Sequence, residues 1–342
     1  MSLLRARRVV GLVGLLVVGL LFGSVSLTAV SQQGTLIPEE LVIGMVPSRA
    51  AAILQPPVEG MAKMVLEYVQ KNGFPQVKRV RAVIPESYTA TIEALGAGRI
   101  HVGLFGPFQI VQVIDSFGSV PIAVTKRRTA AGKETLTFRS QFMVFTDSAL
   151  KNFDDLVKHV KDNKSLRFSY GGSSTSTSGF LFPCKKLKDL NILPGDNRNF
   201  KTIRAANHLA SAVAVYKKDV DIGVGFEDVR EDLDSDRMKR ELGWNPGEPN
   251  PSTRVRVIGY SDEIPNDGIV AIKELDVFLR EAIKYGFVSL MKTPEGQKFG
   301  KDAVDAIDFM PVPEGYDMLK ALEAVRVVAK EIQPNLAKCE NQ

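Results

Sequence analysis

One pattern constrains this chain more than any other: short apolar runs of strand length alternate with stretches of helical spacing, twice over. LVIGMV (41–46) predicts a buried strand that Pro47 ends. PPVEGMAKMVLEYVQKNG (56–73) carries apolar residues at Val58, Met61, Val65, Leu66 and Val69, with prolines at its start and Asn72-Gly73 at its stop. A strand (77–84), a helix opening at Ser87 (87–98), a strand (100–106) and a helix opening on Pro107 (107–118) follow. The middle of the chain repeats the order: strand 142–147, helix 153–163, strand 166–170, helix 178–191, helix 208–219 and strand 220–226. This order predicts α/β units of parallel sheet covered by helices, two of them, each of about 100 residues. Beyond a mixed stretch at 254–272, two long amphipathic helices are predicted at 274–291 and 316–332.

The net charge of +5 has to be located before it is read. Arg5, Arg7 and Arg8 precede 30 uncharged residues, Val9 to Pro38. A basic start, the apolar run VVGLVGLLVVGLLFG and a small-residue exit at Ala29-Val30-Ser31 describe an export signal. Cleavage before Gln32 is the expectation; because the uncharged run also exceeds the ~20 residues that span a bilayer, retention of residues 9–30 as an anchor is the alternative. No cysteine follows the run, which argues against a lipid anchor. Without residues 1–31 there are 41 basic and 39 acidic side chains, so charge no longer points to nucleic acid. The expected location is periplasmic or extracytoplasmic, and membrane contact is confined to this first segment. Export would permit a Cys184–Cys339 disulfide, but free or buried thiols suit a 155-residue separation equally.

The most informative local feature is GGSSTSTSGFLF (171–182). A predicted strand ends at Ser169 or Tyr170, two glycines allow a tight turn, serines and threonines follow, and a helix opens near Ser178. Unpaired N–H groups at a helix N-terminus, its dipole and adjacent hydroxyls together suit an oxyanion. The same residues would also make a plain Ser/Thr loop with an ordinary helix cap. No P-loop and no G-x-S-x-G elbow is present. The three histidines, His101, His159 and His208, lack metal-ligand spacing. No metal or cofactor is expected. Glu227 follows the strand VDIGVGF, and Asp267 sits in the turn IPNDGIV. Both positions suit the carboxyl ends of strands, where open α/β sheets bind ligands.

These residues resemble a family. STSGFLFP (176–183) is similar to an S-T-S-G-[YF]-L-x-P block; NHLASAVAVYKKDVDIGVGFED (207–228) and YTATIEALGAGRIHVGLFGP (88–107) resemble two further blocks in the same order. The chain, over about residues 41–330, looks like a periplasmic phosphonate-binding protein. Such proteins are the solute-binding component of phosphate/phosphite/phosphonate ABC transporters. The resemblance implies a type II periplasmic-binding-protein fold: two α/β lobes with a hinge and a ligand cleft between them. The first lobe would take 40–138 plus 263–342, and the second 139–262, with crossings near Arg139–Gln141 and Ser261–Gly268. It implies that Ser176, Thr177, Ser178, His208 and Tyr88 hold the oxyanion. It also implies that Glu227 and Asp267 face an ammonium group where the ligand has one. Phe138 stands where the family commonly has a tyrosine, with Arg139 beside it as a compensating charge or a solvated one; His101 departs from the family's strand end. The expected partners are a small-molecule oxyanion and an ABC transporter permease, the protein acting as a monomer. Capture is expected, with no catalytic residue and no turnover. A ligand-presenting sensory module and an enzyme on the same fold are the alternatives.

Overall fold

The computed structural model describes residues 34–129 and 132–340. The predicted export segment, residues 1–31, lies outside them. In chain order the elements are β1 (Glu40–Met45), α1 (Ala51–Lys71), β2 (Arg79–Val83), α2 (Tyr88–Gly96), β3 (Val102–Phe105), α3 (Pro107–Phe117), β4 (Val120–Arg128), β5 (Glu134–Thr135), β6 (Thr137–Phe138) and β7 (Ser140–Phe145). Next come α4 (Phe153–Lys161), β8 (Leu166–Gly171), α5 (Phe182–Asp189), β9 (Phe200–Ala205), α6 (His208–Tyr216), β10 (Ile222–Phe226), α7 (Asp236–Glu241) and β11 (Val255–Tyr260). The chain ends with β12 (Ile264–Pro265), β13 (Gly268–Ala271), α8 (Val277–Leu290), α9 (Pro294–Val304), β14 (Ala306–Pro311), α10 (Met318–Ile332) and α11 (Leu336–Glu340).

The strands build two main sheets. The first has the order β14-β4-β13-β3-β1-β2, with β5 paired to β4; the second has the order β11-β7-β10-β8-β9. Strand-to-strand pairing is parallel only where a helix crosses between neighbours: β2-β1-β3 in the first sheet, and β10-β8-β9 in the second. The strands β4, β13 and β14, and likewise β7 and β11, pair antiparallel. The expected parallel sheet is therefore mixed at these strands: α3 precedes β4, and α8 and α9 precede β14, yet each of these strands pairs with neighbours that run the other way. The central strands β3 and β10 are buried along their whole length, which explains their unbroken apolar runs. The second core is aromatic: Phe168 lies 5.0 Å from Tyr170 and 5.5 Å from Phe200, and Tyr170 lies 4.8 Å from Phe180, ring centre to ring centre. Each such ring contributes about 1.5–3 kcal/mol by leaving water.

Two of the passages between the sheets run as a pair. Residues 137–138 and 264–265 pair as a separate ribbon, β6 with β12. Ser140 N–H donates to Ser261 Oγ at 2.9 Å, and Asn266 Nδ2 reaches the carbonyls of Thr125 (2.9 Å) and Thr135 (3.0 Å). The passages therefore lie side by side and are laced by short bonds.

Helix boundaries follow local chemistry, with three differences from expectation. Ser87, Asn152, Asn207 and Asp276 cap α2, α4, α6 and α8 through their side chains. α1 begins at Ala51, so Pro56 and Pro57 lie inside it and not at its start. The two bonds those prolines forgo are offset by burial of Leu54, Pro57 and Val58. The helix expected from 178 opens instead as a π turn, Thr177–Leu181, that passes into α5. The C-terminal end, grouped by sequence with the first lobe, is tied to the second sheet. Cys184 and Cys339 form a disulfide (Cα–Cα 5.8 Å), and Thr202 Oγ1 donates to the Glu340 carbonyl at 2.9 Å. No described helix is long and apolar enough to cross a membrane.

Candidate functional site

The carboxyl ends of β1, β3, β8 and β10 converge on one cavity between the two sheets. It measures about 40 Å3. A water centre takes roughly 10–15 Å3 on this measure, so there is room for a group of only a few heavy atoms.

The second sheet contributes the hydroxyl wall. After β8, Gly172 adopts φ 115°, a conformation L side chains rarely take, and turns the chain back. Gly179 then packs against the Gly171 carbonyl so closely that a Cβ would sit 1.9 Å from its oxygen. Ser176 Oγ caps the π turn by accepting from Gly179 N–H at 3.1 Å. Ser176, Thr177 and Ser178 are all buried, and all three line the cavity. The N–H groups that open such a turn have no carbonyl behind them, so they remain free for a ligand. A π turn at this point is a frequent mark of a functional site. Thr177 Oγ1 accepts from Phe108 N–H across the cleft at 3.0 Å, which leaves its own hydrogen to donate.

His208 opens α6 behind Asn207, whose side chain accepts from Ala210 N–H. Its Nε2 lies 3.2 Å from Tyr88 Oη and 3.4 Å from Ser176 Oγ. Burial, helped by the Arg49 charge, pushes the imidazole down to about 3, so the ring is neutral at physiological pH. Its Nδ1 is buried without a partner, which favours a lone pair there and the proton on Nε2, facing the cavity group. Tyr88, from the first turn of α2, is buried, and burial raises its phenol well above the ordinary range. It is therefore a neutral donor.

The first sheet contributes charge. Arg49, after β1, donates to Asp232 (2.7 and 3.3 Å) and to Asp305 (2.9 Å). Arg127, from β4, reaches the same Asp305 oxygen at 3.3 Å. The two guanidiniums lie 4.9 and 5.7 Å from the Phe226 ring of β10. Burial alone would raise Asp305, but Arg49, Arg127 and Lys301 outweigh it and hold the carboxyl well below its usual range. Asp232 sits in the turn Val229–Asp234 on the second-sheet side, so Arg49 spans the cleft. Asp267 also lines the cavity, and no hydrogen bond to its carboxylate is formed among the described residues. Burial pushes it up to about 6, against the pull of Arg127.

Of the nine residues singled out by sequence, Tyr88, Phe138, Ser176, Thr177, Ser178, His208 and Asp267 line this cavity. Glu227 and Arg139 do not. They pair with each other (Arg139 Nε to Glu227 Oε2, 3.2 Å), Arg139 stacks 4.0 Å over Tyr260, and both line a neighbouring, more open hollow of about 410 Å3. Arg49, Arg127, Asp305, Gln109 and Ser48 are the polar lining residues that sequence reasoning missed. The one signal that could have found any of them is the place of Ser48 and Arg49, a few residues beyond the end of the first predicted strand. Among the described residues, no group of three or more His, Cys, Asp or Glu side chains is placed to hold a metal ion.

Residues 43–313 match the family model described as ABC transporter, phosphonate, periplasmic substrate-binding protein. A phosphonates-binding periplasmic protein of Escherichia coli is 27% identical over 217 residues, 64% of this chain and 58% of that protein. A phosphate-import protein of Mycolicibacterium smegmatis is 25% identical over 199 residues, 56% of each. The matched region thus spans somewhat over half the length of these curated relatives. A methylphosphonate complex from Prochlorococcus marinus superposes with a TM-score of 0.68 at 18% identity, covering 87% of this chain and 99% of the other. That likeness gives the fold: the two sheets form a type II periplasmic-binding-protein fold.

Proposed function

This chain belongs to the family of periplasmic substrate-binding proteins of phosphonate ABC transporters, and from that premise we propose that it captures a phosphonate, phosphite or phosphate-like oxyanion in the inter-sheet cavity. The single observation that carries this reading is convergence. Hydroxyls from Ser176, Thr177, Ser178 and Tyr88 and the Nε2 face of a neutral His208 meet in one small space between two sheets. Neutral donors of this kind bind an oxyanion without trapping it in a permanent ion pair. The small cavity favours phosphate, phosphite or methylphosphonate over a long-armed organophosphonate.

The mechanism is capture and release, not turnover. Lobes 40–138 with 263–332, and 139–262 with the C-terminal helix α11, rotate about the laced passages at 137–140 and 261–266. The closed form docks on a transporter permease outside the cytoplasm. Glu227 is engaged by Arg139, so it would meet a cationic ligand arm only after that pair opens.

Titration calorimetry on the purified protein with methylphosphonate, phosphite, phosphate and an aminoalkyl phosphonate tests the reading. Saturable one-to-one binding of at least one of them is expected. Heats indistinguishable from dilution for all four would reject the ligand class.

A further inference from the structure

Most polar groups in the cavity wall can donate a hydrogen bond or are already paired; the oxygen acceptors left without a partner are the neutral amide oxygen of Gln109, whose Nε2 is held by the Thr175 carbonyl, and the carboxylate of Asp267. Ser176, Thr177, Ser178, Tyr88 and His208 are donors. Asp305 is held by Arg49, Arg127 and Lys301. Asp267 alone presents a carboxylate with no hydrogen bond or ion pair among the described residues. Its main chain is fixed, because its carbonyl accepts from Thr125 N–H (2.9 Å) and Oγ1 (3.1 Å). Gly106 shows how near it stands to the oxyanion wall. A Cβ at Gly106 would lie 2.5 Å from Gln109 Oε1, 3.2 Å from Thr177 Oγ1 and 3.6 Å from Asp267 Oδ1, so all three oxygens border the same point, and of these only Asp267 can carry a negative charge.

A bare carboxylate beside a bare oxyanion is repulsive, and the repulsion grows in a dry cavity. One proton between them turns repulsion into a charge-assisted hydrogen bond. We propose that Asp267 is a specificity-determining residue that accepts this bond, so that the cavity selects tetrahedral oxyanions bearing an acidic P–OH and rejects sulfate, which has the same shape but no proton. The inference rests on the capture reading above and names the ligand class within it.

The groups around Asp267 fit this role. Arg127 from β4 and Arg49 from the turn after β1 attract its charge but are bonded elsewhere, to Asp305 and Asp232. Asp305, from the turn before β14, repels it, and so favours a shared proton. Tyr88 from α2 and His208 from α6 are neutral, so neither can supply the charged acceptor that a charge-assisted bond requires. Burial already raises Asp267 to about 6. Above that pH the carboxylate needs a protonated ligand; well below it, Asp267 carries the proton itself and can donate to sulfate.

Calorimetry with phosphate, sulfate and 2-aminoethylphosphonate at pH 8 and pH 5, on the protein and on Asp267→Asn, decides the matter. At pH 8 phosphate should bind at least about 100-fold tighter than sulfate, as expected where one analogue leaves a buried polar group unpaired. At pH 5 that gap should shrink about tenfold or more as Asp267 takes up a proton. Asp267→Asn, whose amide donates, should bring the two anions to within about threefold at both pH values, with thermal melts showing that the variant is folded. Equal affinities for phosphate and sulfate at pH 8 would overturn the proposal while leaving oxyanion capture intact. So would 2-aminoethylphosphonate binding tighter than phosphate and losing that advantage in Asp267→Asn, since Asp267 would then serve an ammonium group. Failure of every phosphorus oxyanion to bind would instead remove the capture reading, and the proposal with it.

Discussion

Arg49→Met removes the guanidinium that spans the cleft and keeps most of the side chain's apolar volume. Its consequences can be worked bond by bond. Asp305 keeps Arg127 at 3.3 Å and Lys301 at 2.8 Å, so its charge stays matched. Asp232 loses a bidentate partner at 2.7 and 3.3 Å and has no other ion pair among the described residues. Removing one member of a buried pair costs about 3–5 kcal/mol. Asp232 is 26% exposed, so water recovers part of that, and a loss of about 2–3 kcal/mol is expected. Stacking of the guanidinium over Phe226 adds about 0.5–1 kcal/mol to the cost. Urea unfolding of the protein, Arg49→Met, Asp232→Asn and the double variant gives the coupling directly. A coupling of about 1–3 kcal/mol is expected for two groups in one buried network. Because Arg49 leaves β1 while Asp232 follows β10, the same variant should open the ligand-free cleft, read as a larger radius of gyration in solution scattering. A coupling below about 0.5 kcal/mol, the limit for independent sites, would refute the claim that this pair ties the two sheets together.

Three further outcomes follow from the site. Ser176→Ala should weaken oxyanion binding by about 1–3 kcal/mol in calorimetry, and should cost about 1 kcal/mol of stability because the cap on Gly179 N–H is lost too. His208 is depressed in the folded protein to about 3 from an ordinary 6.5, so its contribution is intact above pH 6.5 and is lost as pH falls toward 3. His208→Gln should therefore flatten the fall in urea midpoint between pH 6.5 and 4, and an unchanged slope would exclude His208 as its source. Reduction of Cys184–Cys339, which closes a 155-residue separation, should lower stability by about 3–5 kcal/mol in melts with and without dithiothreitol.

What can be read from the sequence divides along a physical line. Strand-helix alternation is local, so β1, β8, β10 and their helices are legible to within a few residues. β4, VPIAVTKRR, is not, because its charged end reads as surface, although Arg127 there is buried against Asp305 and Phe138. The direction of the returning strands is set by long-range pairing, which no local pattern carries. The hydroxyl wall is legible for the same local reason: glycines, serines and a helix start lie within a dozen residues. The ion network is not. Arg49, Arg127, Asp232 and Asp305 come from four separate segments, and each alone looks like a solvated charge. The Arg139–Glu227 pair, 88 residues apart, is hidden in the same way: each looks like a separate charge in the sequence, and only the fold shows that they pair. Sequence thus exposes the parts of the site that a single segment builds, and hides those that exist only when two segments meet. Arg49 and Asp232 belong to elements of different sheets, so the hidden part is also the part that cleft opening must break.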